Sequence, residues 1–476
     1  MSTVVAPTED DPVVRSASEV IGGPAGPRLA KGSFRLGGLR FGAVSVLVLL
    51  AVAMIGLGVV QKQHCRIAGW GVPDQFWHAC YSDIPAVYGS NRLDAPDAPG
   101  LGEAVTNRLG QPPLAGTAIW LVSKVVPAGQ DAAASGRRFF DTSAVLLGVA
   151  LIIGVAAVGA VKRRRPWDAA QLAASPVLLT SALISYDMLG VTLIALGVLA
   201  WTRQRPLLAG LALGLAVGVR PVSSMVALAI VLLAIRTGRW LPVAKMVALW
   251  LVAFVGLRVL LYADVGGGLL KAWRTWRLEG PGYGSIWMTP QLLAAAKPQG
   301  KSGLAWWPTA GLNANQVSIA TLVGFCVVVG VVLWVVLSPR YSPSPAHLAL
   351  ILVAGSLVVS KSIPPQVSIL LLPLIALVGL RWRDQLVWAV CEIGYFVGVW
   401  LYIAAQSDAG KGLPPAFYLL LLLARVAAIA YLGVRAVQSA EEPDDDLLAA
   451  DGPQYDTAYD DPDRPLTVGA GRPAEA

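Results

Sequence analysis

The chain has 476 residues, 55% of them hydrophobic and 14% charged, with a mean hydropathy of +0.62. Soluble domains carry roughly 25% charged residues, so this composition excludes an ordinary soluble fold and points to a membrane. The net charge of +8 does not mark a nucleic-acid binder, because the basic residues lie in short clusters at the ends of apolar runs, where orientation signals are found.

The first 40 residues are rich in Pro, Gly and charge and read as a disordered cytoplasmic tail. The first apolar run opens at Phe41, too far into the chain for a cleaved leader, and Arg28, Lys31, Arg35 and Arg40 before it place the N-terminus in the cytoplasm. A first span is expected over residues 41–60. An outer loop over 61–137 follows, with Cys65, Cys80, Tyr81-Ser82-Asp83 and Gln111-Pro112-Pro113 in its first part. The apolar stretch 113–126 is too short for a straight span and reads as a re-entrant or interfacial helix. The next span, 138–161, ends at Lys162-Arg163-Arg164-Arg165, which belongs inside; counting 113–126 as a span would put that run outside.

Further spans are expected over 167–183, 188–201, 207–219, 225–235 and 240–262, then a second outer loop, 263–313. Spans over 315–337, 347–359, 367–380, 386–405 and 416–434 complete an all-α polytopic domain, 41–436, of about 12 helices with both ends cytoplasmic. The tail 437–476, with Glu441, Glu442 and Asp444, reads as acidic disordered sequence. No internal repeat is visible, which counts against transporter folds built from duplicated halves.

This topology gathers a set of polar and aromatic residues at the outer face. Asp83 lies in the first loop, and Asp187 and Arg220-Pro221 at helix ends. Trp273-Arg274-Thr275-Trp276-Arg277, Gly284-Ser285-Ile286-Trp287 and Trp306-Trp307 lie in the second loop, and Lys361 and Gln366 at a third site. Charged groups near a bilayer need water, each other or a ligand. An acidic residue in the largest early loop therefore suggests a reaction site at one membrane face.

Four pieces of sequence carry a resemblance. They are Tyr81-Ser82-Asp83 soon after the first span, Pro112-Pro113 before a short helix, Asp187 followed by the Gly-rich run from Gly210 to Arg220-Pro221, and Lys361 followed by Pro365-Gln366 and Leu371-Leu372-Pro373. Gly284-Ser285-Ile286-Trp287 is similar too. In order and spacing, over about 41–380, they resemble the polyprenol-phosphate-dependent glycosyltransferases of the GT-C superfamily, and most closely glycosyltransferase family 87, which includes actinobacterial mannosyltransferases. The chain departs from the family in having Arg220 where Lys is frequent and Val367 where Tyr is common.

The resemblance implies a GT-C-like fold and an inverting hexosyltransferase in the cytoplasmic membrane, working at the extracytoplasmic face. It would move a sugar, mannose in the first instance, from a polyprenyl-phosphate donor to an envelope glycolipid, lipoglycan or glycan. An arabinofuranosyl donor is a close variant, and a lipid-linked-sugar flippase is the rival from another class. Asp83 would be the general base, against a plainer role as a helix cap or a partner of Arg92. Arg220 first, then Lys361, Arg274 and Arg277, would hold the donor phosphate, against the default of snorkelling to lipid head groups. Asp187, Gln366, Ser285, Trp287 and Tyr81 would support them, Asp187 by orienting Arg220 and Trp287 by stacking on sugar. Trp70, Trp77, Trp273 and Trp276 fit an interfacial belt, and Glu392 a polar packing role inside a span.

Cys65 and Cys80, flanked by His64 and His78, allow either a zinc set or a disulfide; outside the cytoplasm, cysteines this close favour the disulfide. Cys326 and Cys391 read as packing residues. No acidic metal-ligand cluster stands out, so activity is expected without metal or cofactor.

Overall fold

The computed structural model of the chain describes residues 34–36, 39–41, 43–95, 98–105, 109–127, 131–162, 166–262, 265–296, 311–408 and 410–441. Most of the expected N-terminal tail, Arg163 to Arg165, Trp306, Trp307 and the acidic tail beyond Glu441 lie outside the described residues. A short antiparallel ribbon, Phe34–Leu36 against Leu39–Phe41, leads into a fold that is otherwise helical.

Among the described residues, six helices are long and apolar enough to cross a bilayer. They are α1 (Ala43–Gln61), α6 (Ala132–Val161), α10 (Trp240–Tyr262), α12 (Ala314–Leu337), α15 (Trp382–Ala404) and α16 (Pro415–Ser439). Their outer faces carry bare apolar side chains: Leu49 and Val52 on α1, Val390 on α15 and Leu420 on α16 are each more than half exposed. Apolar surface on that scale calls for a lipid or protein cover. In chain order between α1 and α6 come α2 (Gln63–Ala68), α3 (Asp74–Trp77), α4 (Asp83–Ser90) and α5 (Pro113–Val125). Between α6 and α10 come α7 (Asp187–Thr202), α8 (Pro206–Val217) and α9 (Ser224–Thr237). Then α11 (Val265–Leu278) precedes α12, and α13 (Pro345–Val358) and α14 (Leu371–Val378) precede α15.

One of the shorter apolar stretches is core throughout, not a lipid-facing rod. Every residue from 365 to 378 is buried, first as a 3-10 turn, Pro365–Leu370, and then as α14. A helix that is apolar all round and buried all round owes its composition to the protein interior. The expected span over 167–183 is corrected: it is a 3-10 turn, Pro166–Ala169, and two short helices, Ala170–Ala173 and Val177–Ser181. Pro176 has no N–H to continue the ladder and disfavours helical geometry at Ser175 before it.

Packing of α8 on α10 explains the Gly-rich run. A Cβ placed on Gly210 would lie 2.1 Å from the Met246 carbonyl oxygen. Small residues four apart let two backbones approach where apolar attraction between lipid-facing helices is weak.

Candidate functional site

The site is built where several helices end together. α1 ends at Gln61, α4 and α7 begin at Asp83 and Asp187, α8 ends just before Arg220, and the 3-10 turn carrying Gln366 begins at Pro365.

Three tethers fix the strand of chain that delivers Asp83. Cys65 and Cys80 form a buried disulfide, the Gln61 Nε2 donates to the Ala79 carbonyl at 2.7 Å, and the Lys62 ammonium donates to the Tyr81 carbonyl at 2.9 Å. The Asp83 N–H then donates to the Ile184 carbonyl at 2.8 Å. Ser82, not Asp83, caps α4: its Oγ accepts from the Ile84 N–H and donates to the Leu183 carbonyl. The Asp83 side chain is thereby released from capping. Its Oδ1 accepts from the Tyr81 hydroxyl at 2.6 Å and its Oδ2 from the Gln366 amide at 3.1 Å. Those are its hydrogen bonds among the described residues; Arg92, the plainer partner weighed from sequence, is not one of them.

Burial pushes the Asp83 carboxyl above its ordinary value, although the group keeps partial exposure. The Tyr81 hydrogen bond and the charges of Arg220 and Lys62 pull it down, while Asp187 pushes it further up. A carboxylate with a raised proton affinity is a stronger proton acceptor than an ordinary one. Lys62 is fully buried, over the Phe396 ring at 5.0 Å, and burial pushes its ammonium down to about 7 against the pull of Asp83.

Asp187 is buried and holds Arg220 by a two-pronged contact, Arg220 Nε to Oδ1 and Nη2 to Oδ2, the latter at 2.9 Å. The Ser185 hydroxyl also donates to Asp187 Oδ2, at 2.8 Å. The Nη1 end of the partly exposed Arg220 makes no hydrogen bond among the described residues. A guanidinium held along one edge presents its remaining N–H groups in a fixed direction, as oxyanion recognition requires. Pro112 and Pro113 start α5 so that the Leu114 N–H donates to the Gly218 carbonyl at 2.8 Å, fastening the turn before Arg220.

The other expected phosphate ligands lie apart. Lys361 is buried, and its ammonium donates to the carbonyls of Trp276 and Glu279 and to the Ser318 hydroxyl over the Trp276 ring. With its three N–H groups used, it serves as a tether between α11, α12 and the 361–366 segment. Arg274 and Arg277 are exposed on α11, and neither is among the charges acting on Asp83. Ser285 donates to the Ser360 carbonyl at 2.8 Å and the Trp287 indole N–H to the Val359 carbonyl at 2.9 Å. Both seat the second loop on the end of α13.

Sequence reasoning missed two charged residues. Lys62 looked like any basic residue closing a helix. Arg425 is fully buried in α16, paired with Glu392 of α15 at 2.6 Å, and donates to the carbonyls of Ile363 and Pro364 and to Ser368 Oγ. An arginine in the middle of an apolar helix was the available signal, since such a charge needs a partner there. Through those bonds Arg425 shapes the segment that brings Gln366 to Asp83.

In the first loop, the disulfide consumes Cys65 and Cys80, while His64 and His78 gather instead around Asp74. Comparison with protein-family models, curated proteins and solved structures gives no match to the chain.

Proposed function

We propose that the chain is an inverting, polyprenyl-phosphate-dependent glycosyltransferase of GT-C-like fold in the cytoplasmic membrane, with about 12 membrane-crossing or membrane-embedded helices. Both termini lie in the cytoplasm, and the Asp83 cluster faces the other side. What carries the reading is the pairing of functions at one set of helix ends: a hydrogen-bonded carboxylate with raised proton affinity, and beside it an arginine edge free for an oxyanion. These are the two needs of sugar transfer from a lipid phosphate.

In the reaction, the acceptor hydroxyl loses its proton to an Asp83 oxygen as its own oxygen attacks the anomeric carbon. The bond from that carbon to the polyprenyl phosphate breaks, and its electron pair leaves on the phosphate. Arg220, oriented by Asp187, meets that charge, and attack from the face opposite the leaving group inverts the centre. Tyr81 and Gln366 hold the carboxylate. Lys361, Ser285, Trp287 and Arg425 act on the shape of the site and do not touch substrate. Mannose is the donor sugar this reading names first, and an envelope glycolipid or glycan the acceptor.

The test supplies proteoliposomes with labelled polyprenyl-phosphate-mannose and an envelope lipid extract. Label in a new glycolipid, with inversion at the anomeric carbon, is the expected result. Label that crosses the bilayer and stays on the polyprenyl donor would make the protein a transporter.

A further inference from the structure

The loop before Asp83 groups three further side chains that the transfer reaction does not use. His64 lies in α2, Asp74 opens α3 and His78 closes it. The His64 Nε2 is 2.7 Å from Asp74 Oδ2, and the His78 Nδ1 is 3.1 Å from Asp74 Oδ1. The two imidazole rings stack at 3.5 Å. One ligand atom from each residue lies within 4.8 Å of the others, the one such grouping of His, Cys, Asp or Glu among the described residues.

We propose that His64, Asp74 and His78 form a binding site for a divalent transition-metal ion, with Zn2+ the closest match. Two imidazoles and one carboxylate are a donor set for zinc or its transition-metal neighbours, whereas Ca2+ and Mg2+ prefer oxygen ligands throughout. Zinc bonds to nitrogen and oxygen are about 2.0–2.2 Å, so tetrahedral ligand atoms stand about 3.3 Å apart. The two nitrogen-to-carboxylate separations, 2.7 and 3.1 Å, are hydrogen-bond distances somewhat shorter than that value, and side-chain rotation opens them to admit the ion. The fourth position is left to water.

The covalent link beside the site keeps its two segments together. Cys65 follows His64 directly and Cys80 lies two residues after His78, so the disulfide holds the backbones that carry the histidines near each other, and the stacked rings must turn their nitrogens toward the ion to bind it. All three side chains are two-fifths or more exposed, which lets an ion enter without unfolding. None of the three bonds Asp83. The ion would act as a second clasp on the loop that delivers Tyr81 and Asp83, not as a Lewis acid in the transfer.

The experiment uses full-length protein in detergent, purified through a tag without histidine, stripped with a chelator and kept oxidised. Zn2+ uptake is measured by equilibrium dialysis and Co2+ uptake by visible absorption. Wild type is compared with Asp74→Asn and with the double variant His64→Gln/His78→Gln. Wild type should bind one more Zn2+ than the double variant and give a four- or five-coordinate Co2+ spectrum. Asp74→Asn should bind at least about tenfold more weakly, in keeping with the usual cost of altering a metal site. Thiol labelling confined to Cys326 and Cys391 confirms that each variant keeps its disulfide. Equal uptake by wild type and double variant, or no uptake by wild type at millimolar Zn2+, would overturn the site and leave a hydrogen-bonded His–Asp–His cluster.

Discussion

Asp83 is set between opposing influences, and each can be removed singly. As a base it must be ionised, so the rate should rise with pH as the carboxyl loses its proton, and the acid limb reports its raised proton affinity. Lys62 and the Tyr81 hydroxyl both favour the ionised form. Lys62→Met and Tyr81→Phe should therefore each move the acid limb of kcat/KM to higher pH, read from the pH profile of sugar transfer. An unmoved limb in both would mean that the limb belongs to another group. The Arg220–Asp187 pair makes a separate prediction. Arg220→Gln leaves a carboxylate buried without its charge partner and should cost about 3 kcal/mol, the low end for breaking such pairs because Arg220 is 21% exposed. Adding Asp187→Asn should restore thermal stability in detergent but not transfer, separating the fold's need for the pair from the donor phosphate's need for Arg220. Of these residues, Asp83, Asp187, Arg220, Tyr81 and Gln366 were legible as polar groups at helix ends. Lys62 was not, because a lysine after an apolar run is ordinarily a snorkelling residue and only packing reveals full burial.

Elements make the site by lying on one another. The second loop crosses the 361–366 segment at Gly284, whose φ is +83° and whose Cβ, were there one, would lie 2.2 Å from the Ile363 oxygen. Gly284→Ala should distort the segment that presents Gln366 and lower stability by about 1–3 kcal/mol, with a loss of transfer. Gly280→Ala, at a position with open space around it, should change neither the melting temperature nor activity. Parallel losses in both variants would contradict the crossing as the cause. The Gly284-Ser285-Ile286-Trp287 piece was visible in the sequence, yet sugar stacking was expected of Trp287. Its indole N–H also donates to the Val359 carbonyl, a partner 72 residues away that no local pattern signals.

At the scale of the whole molecule, apolar periodicity located the helices well and their roles less well. Hydropathy does not distinguish a lipid-facing rod such as α1 from a segment such as 365–378 that is enclosed by protein, because both are continuous apolar runs. Pro176 was the available sign that 167–183 is not one helix. Asp83, Asp187, Arg220 and Gln366 were each named from the sequence, and the fold brings them to one set of helix ends. The tether role of Lys361 and the Arg425–Glu392 support depend on contacts across long sequence separations and emerge only with the fold. The most direct measurement compares sugar transfer from polyprenyl-phosphate-mannose by wild type and by Asp83→Asn, at equal amounts of folded protein. Loss of a general base costs about 10²–10⁴-fold in rate. A fall of that size with an unchanged melting profile is the expected result, and undiminished transfer by Asp83→Asn would contradict the assignment of the centre.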